Sequence, residues 1–326
     1  MITPLRALVF LLLITPAVSW SEDNSREAHE WLVRMSQAAQ MLNYEGTFIY
    51  LHNGRLETMQ IVHKFGDKGE QERLFSLNGV AREIVRDNSK ITCILPDDKS
   101  VVVDKSRPKK LFPDDLTSKD VLRLEQYYKF ELGEQDRIAG RKTQQVLVKP
   151  RDGYRFGYRL WLDSETGLLL KSDMVNETGE PIEQIMFTRI DYSAVISDKA
   201  LMPELMGKQY KWFEHEKDTV EAMELEKGWD VENSPEGFMM TERGRRRLPA
   251  GKMPVEHFVY SDGLATVSVY IEKVEEQNDL MQGVSYMGAV HVFANVVNDH
   301  QVTVVGEVPA ETVEFIGNSV RYKTSD

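Results

Sequence analysis

YRFGYRLWLDSETGLLLKSDM, residues 154–174, reads as an antiparallel hairpin. Side chains of an extended strand alternate between two faces. Phe156, Tyr158, Leu160 and Leu162 therefore share one side, and Arg155, Gly157, Arg159, Trp161 and Asp163 share the other. Ser164, Glu165, Thr166 and Gly167 supply polar turn residues and a glycine that tolerates positive φ, after which 168–174 return. One face is strongly apolar and the other mixed, so this segment belongs to a sheet with one face on a core.

Strand patterns continue on both sides of the hairpin. Upstream, 47–52, 56–65, 73–77, 81–86, 90–95 and 100–104 alternate, with turn residues such as Asn53-Gly54, Asn78-Gly79 and Pro96-Asp97-Asp98 between them. A loop with a short helix is expected over 108–127, and strands resume at 128–132, 144–149 and 182–192. The meander is preceded by an amphipathic helix over 25–43, in which Ala28, Trp31, Leu32, Met35, Ala39 and Leu42 form one stripe. Asn24 is placed to cap it. One helix cannot cover so many strands, so the sheet must curl around it, and a curled sheet leaves room for an apolar cavity.

Length implies two domains. Periodicity fades over 193–209, where Pro203 and Gly207 break it, so the expected division is 20–206 and 207–326. The second part carries strands at 237–243, 255–261, 266–274, 285–297 and 301–308. A helix starts at Pro309, with Val313, Ile316 and Val320 on one face. Arg6, an apolar run over 7–14 and the small residues Ala17 and Ser19 read as a signal peptide over 1–19. The run is far shorter than the roughly 20 residues needed to span a bilayer. An exported protein that begins near Trp20 is expected.

The formal net charge is -12, which argues against nucleic-acid binding, because that rests on Lys and Arg neutralising phosphates. Cys93 is the sole cysteine and reads as a small core hydrophobe. It also permits an intermolecular bridge, so a homo-oligomer is left open. Seven histidines are dispersed without a metal-ligand spacing, and His63 and His291 read as structural residues inside strands. No nucleophile elbow, P-loop or dinucleotide fingerprint is present. No enzyme activity, cofactor or metal is expected. Arg243, Arg245, Arg246 and Arg247 form a basic run that reads either as a solvated loop or as an anion or partner contact. Arg107-Pro108-Lys109-Lys110 form a second basic group.

Gly46 to Tyr50 (GTFIY), Arg82 to Arg86 (REIVR), the hairpin, Val259 to Glu272 (VYSDGLATVSVYIE) and Thr303 to Pro309 (TVVGEVP) together resemble the RseB/MucB family in order and over both domains. The resemblance implies an N-terminal domain similar to the lipoprotein carriers LolA and LolB, an unclosed β-barrel over helices, and a smaller C-terminal antiparallel sheet with a helix. It implies a periplasmic negative regulator that binds an RseA/MucA-like anti-sigma factor. Such binding shields the anti-sigma factor from site-1 proteolysis until lipopolysaccharide or lipid fragments release it. A periplasmic lipid or lipoprotein carrier is the alternative. On this reading Trp31, Met35, Phe48, Phe156, Tyr158 and Leu160 line the lipid pocket. Arg159 and Trp161, on the hairpin's other face, meet the second domain.

Overall fold

The computed structural model describes residues 19–87, 90–104, 116–193, 195–205, 209–215, 228–247, 254–274 and 280–323. The expected signal peptide, except Ser19, and the basic group at 107–110 lie outside them. Among the described residues no helix is long and apolar enough to cross a membrane.

Helix α1 spans Ser19–Met41 and buries Ala28, Leu32, Met35 and Ala38 along one stripe. Asn24 does not cap it. The helix starts earlier, and the Asn24 Oδ1 accepts the Leu132 backbone N–H at 2.6 Å, which ties α1 to the sheet. Six strands follow as a meander: β1 (Tyr44–His52), β2 (Arg55–Gly66), β3 (Gly69–Ser76), β4 (Glu83–Asp87), β5 (Lys90–Leu95) and β6 (Ser100–Asp104). Helix α2 (Ser118–Leu124) opens with a capping box in which Thr117 and Asp120 satisfy each other's backbone N–H groups. Then come β7 (Tyr128–Ile138), β8 (Arg141–Pro150), β9 (Gly157–Asp163), β10 (Leu169–Val175), β11 (Pro181–Asp191) and β12 (Lys211–His215).

These twelve strands make one sheet in the order β12-β6-β5-β4-β3-β2-β1-β11-β10-β9-β8-β7. Strand β12 is parallel to β6, and the other neighbours are antiparallel. Since β7 and β12 are both edges, the sheet is unclosed. Strand β12 lies beyond the division expected at 206/207, yet it extends the first sheet.

The opening hairpin is β9–β10. Its loop is held by Asp163, whose Oδ1 accepts the backbone N–H groups of Glu165 and Thr166 at 2.8 and 3.1 Å. Gly167 sits at φ 84, and a Cβ there would meet Arg34 of α1 at 2.6 Å, so glycine serves both the turn and the close approach. Burial raises the Asp163 carboxyl, but hydrogen bonds from Arg141 and those two N–H groups outweigh it and hold the group below its usual range. A depressed carboxylate adds stability above its unfolded value, and that stability is lost as pH falls through the folded value.

The second part is a six-stranded antiparallel sheet, β14-β15-β16-β19-β18-β17 in the numbering below. In chain order its elements are β13 (Gly228–Val231), β14 (Met239–Arg247), β15 (Pro254–Ser261), β16 (Thr266–Lys273), β17 (Gly283–Met287), β18 (Val290–Val297), β19 (His300–Gly306), α3 (Ala310–Asn318) and β20 (Val320–Lys323). The single strand expected over 285–297 is a hairpin, because Gly288 at φ 63 turns the chain and pairs Met287 with Val290. The helix ends before Val320, which remains buried as the first residue of β20, paired with β13. Val267, Val269, Ile271, Val302, Val304, Val313 and Ile316 form this part's core against α3.

Candidate functional site

Residues just before β9 carry the junction between the two sheets. The Arg155 side chain is fully buried, and its Nε donates to Asp262 Oδ2 at 2.6 Å. Its other nitrogens reach Asp152 and the Glu236 carbonyl, and its guanidinium lies 4.9 Å from the ring centroids of both Tyr127 and Phe238. Asp262 also accepts the Tyr128 hydroxyl at 2.9 Å and the N–H groups of Leu264 and Ala265, both at 2.8 Å. Burial pushes the Tyr128 hydroxyl well above its usual range, and the Asp262 charge adds to this. Thr312 donates to the Tyr154 carbonyl at 2.8 Å, and Phe156 packs with Met174 and the fully buried Ala289.

Beside this junction lies a cavity of about 610 Å³. Met35 and Ala39 of α1, Phe48 of β1, Met59 and Ile61 of β2 and Leu170 of β10 supply apolar wall. Thr266, Ser268, Val290 and Val305 of the second sheet supply another side. The cavity is thus shared. Its charged lining residues are Arg82 and Arg86 from the β4 side, with Glu72 beside Arg86 on β3, and Lys171, Glu183 and Glu307 elsewhere around the space. Arg82 pairs with Glu57, and Arg86 lies 3.4 Å from Glu72, yet the buried Nε of each arginine has no hydrogen-bond partner.

Glu183 comes from β11 and Glu307 from just after β19, so the two carboxylates oppose each other across the junction. Burial raises the Glu183 carboxyl above its usual range. The Tyr50 hydroxyl, donating at 3.0 Å, His52 and the Ala289 N–H counter this, whereas Glu307 reinforces it. A carboxyl with a raised folded value contributes most stability when protonated, and that contribution is lost as pH rises through the folded value. Glu183→Gln keeps an acceptor for Tyr50 and carries no charge. Its melting temperature is expected to exceed the parent's at pH 7 and to match it at pH 4; scanning calorimetry at both pH values checks this.

Of the residues expected to line a lipid pocket, Met35, Phe48 and Tyr158 border the cavity. Leu160 is fully buried in the cluster with Leu32, Val146 and Val148, and Trp31 packs against that cluster under the Arg34 guanidinium. Phe156 fills the junction, with its ring 6.2 Å from that of His291. The expected interface pair is placed elsewhere. Trp161 lies within a first-sheet cluster under the Lys171 ammonium, 3.8 Å from its centroid, and Arg159 donates to the Gly179 carbonyl. Helices α1 and α2 cover the apolar residues Leu160 and Leu162. The second part instead meets the start of the hairpin, at Tyr154, Arg155 and Phe156, with Tyr158 bordering the shared cavity.

In the basic run, Arg243 stacks 4.9 Å from the Phe258 centroid and donates to the Trp229 carbonyl at 2.8 Å. Arg245 pairs with Glu256 at 2.7 Å. The side chains of Arg246 and Arg247 lie outside the described residues, though their backbone continues β14. Sequence reasoning missed Arg82, Arg86, Glu183, Glu307 and Asp262. The strands of Arg82, Arg86, Glu183 and Glu307 were legible, and Asp262 falls in the turn between β15 and β16. But a charged residue on a strand face or turn looks solvated until the element that covers it is known.

Two family models match, described as the MucB/RseB N-terminal domain over residues 27–205 and the MucB/RseB C-terminal domain over residues 223–321. The chain is 32% identical over 324 residues to the sigma factor AlgU regulatory protein MucB of Pseudomonas aeruginosa, covering 97% of this chain and 98% of that one. It is 28% identical over 302 residues to the sigma-E factor regulatory protein RseB of Escherichia coli K12, covering 89% of each. The solved Pseudomonas aeruginosa MucA/MucB complex superposes with a TM-score of 0.73 at 30% identity, covering 92% of this chain and 100% of the matched one. A crystal structure of MucB with MucA(peri) gives 0.71 at 31% identity, covering 91% and 100%. With both halves matched in order and a fold shared over 92% of its length, this chain belongs to the MucB/RseB family.

Proposed function

We propose that this protein is a periplasmic negative regulator of an envelope-stress sigma factor. It binds the periplasmic segment of a transmembrane anti-sigma factor, shields it from site-1 cleavage, and lets it go when lipid enters the cavity. The solved complex of the relative MucB with MucA(peri) supports the partner. The cavity with walls from both sheets is the observation that carries the lipid-controlled part. A ligand there touches both domains and therefore has different contacts in any arrangement that moves one against the other. Its differential affinity sets how far it shifts partner binding. The second sheet as cavity wall also favours a regulator over a plain carrier, for which the first sheet suffices.

The test uses the mature chain, a labelled synthetic peptide of the cognate anti-sigma periplasmic segment, and purified lipopolysaccharide. Anisotropy is expected to report peptide binding that weakens as lipopolysaccharide is added, with matching loss of protection from protease. No peptide binding would overturn the regulator reading. Peptide binding indifferent to lipopolysaccharide would overturn the lipid control alone. Simultaneous replacement of Arg243, Arg245, Arg246 and Arg247 by Ala checks the basic run, and unchanged affinity for both ligands removes it from the contact surface.

A further inference from the structure

We infer that His63, Glu70 and Glu72 form a binding site for a divalent transition-metal ion of the zinc class. His63 on β2 pairs directly with Glu72 on β3, and Glu70 is two residues along the same strand, so all three side chains share one face. One ligand atom from each lies within 4.8 Å of the others. Imidazole nitrogen and carboxylate oxygen suit zinc and its neighbours, with metal–ligand distances of about 2.0–2.2 Å. Two such ligands on one ion stand roughly 3–4 Å apart. The His63 Nε2 to Glu70 Oε1 distance of 3.1 Å fits that spacing, and a Glu72 carboxylate oxygen lies within 4.8 Å of both ligand atoms.

The orientation of His63 is the stronger argument. Its Nδ1 lies 2.6 Å from the Leu42 carbonyl oxygen, which can only accept, so Nδ1 carries the proton. That leaves Nε2 pointing at a carboxylate. A lone pair and a carboxylate oxygen at 3.1 Å repel unless a cation lies between them, either a proton or a metal ion. Backbone-anchored Nδ1–H with Nε2 presented to acidic groups is the arrangement in which a histidine ligates metal. The imidazole is fully buried and held flat by Tyr44, whose ring stacks 5.1 Å away at 16°. Glu70 keeps some exposure, which provides an entry path. Arg86, 3.4 Å from Glu72, is the cation a metal would displace there. Since Glu72 and Arg86 both border the cavity, uptake would also change the charge of that wall. The site does not depend on the regulatory reading.

The experiment is equilibrium dialysis of the chelator-treated mature chain against zinc chloride, with cobalt chloride as a spectroscopic probe. One zinc per chain is expected, with visible cobalt bands of a low-coordinate N/O site and a raised melting temperature on zinc addition. Glu70→Gln and Glu72→Gln keep side-chain shape, and each is expected to weaken binding at least about tenfold, the loss that removal of even an outer-shell partner brings. Circular dichroism establishes that the variants remain folded, and Glu72→Gln, whose carboxylate lies against Arg86, is the one that leaves the His63–Glu70 contact in place. Absence of stoichiometric zinc uptake, or uptake undiminished in both variants, would overturn the site and leave a proton between His63 and Glu70.

Discussion

Asp262→Ala is expected to lower the free energy of unfolding by about 3–5 kcal/mol, the usual cost of removing one partner from a buried ion pair. Arg155 and Asp262 are both fully buried at the level of their side chains, and neither has water to fall back on. Without the carboxylate, the guanidinium keeps Asp152 and the Glu236 carbonyl, while Tyr128 loses its acceptor and the N–H groups of Leu264 and Ala265 lose theirs. Each stranded buried donor adds about 1–3 kcal/mol, so the estimate does not rest on the ion pair alone. Asp262→Asn retains the size and an acceptor and is expected to cost less than Ala. Urea denaturation followed by tryptophan fluorescence measures both. Trp229 reports the core of the second part and Trp161 the first sheet. Because the pair joins the two parts, the Trp229 and Trp161 signals are expected to move apart in denaturant midpoint in the variant. A change within about 0.5 kcal/mol, as for ordinary surface substitutions, would mean that the junction is held by other contacts.

That junction marks the limit of what local pattern reveals. The hairpin's two faces, the α1 stripe and the bounds of β5 and β6 were all legible, because periods of 2.0 and 3.6 are properties of neighbouring residues. What covers each face was not. Trp161 beside Lys171 and Arg159 reads as a contact surface, but Lys171 itself caps the indole. Phe156 reads as cavity lining, but Ala289, 133 residues later, packs on it. Strand β12 was invisible for a related reason: KWFEH has no strong alternation, and its parallel pairing with β6 depends on a chain return that no turn residue encodes. Gly237 is a further instance. Its φ of 90 suggests only a turn, yet a Cβ there would lie 2.6 Å from the Tyr127 ring across the junction. The cavity followed from counting, since one helix and many strands leave volume unfilled, but which of six expected residues border it depended on where the second sheet sits.

Ala39→Phe separates a binding cavity from a packing gap. Ala39 lies on α1 with Met35 and borders the shared space, so a phenyl ring there enters the cavity from the first domain. In a filled core such an enlargement costs about 1–3 kcal/mol through strain. Here about 610 Å³ is free to take it, and the ring exchanges water for Met59, Ile61 and Leu170. Burial of an aromatic side chain is worth about 1.5–3 kcal/mol when it is complete, so the variant is expected to be at least as stable as the parent by urea denaturation. Lipid affinity is expected to move the other way. A ring occupying part of the apolar wall removes acyl contacts and volume together, and a loss of about 1.4–2.8 kcal/mol is a 10- to 100-fold weaker dissociation constant. If the lipid acts on the anti-sigma segment through this cavity, the same variant binds that peptide normally and no longer releases it when lipopolysaccharide is titrated in. Retained lipid affinity with raised stability would make the space an unused gap in the packing. It would also move any lipid-controlled step to a different surface.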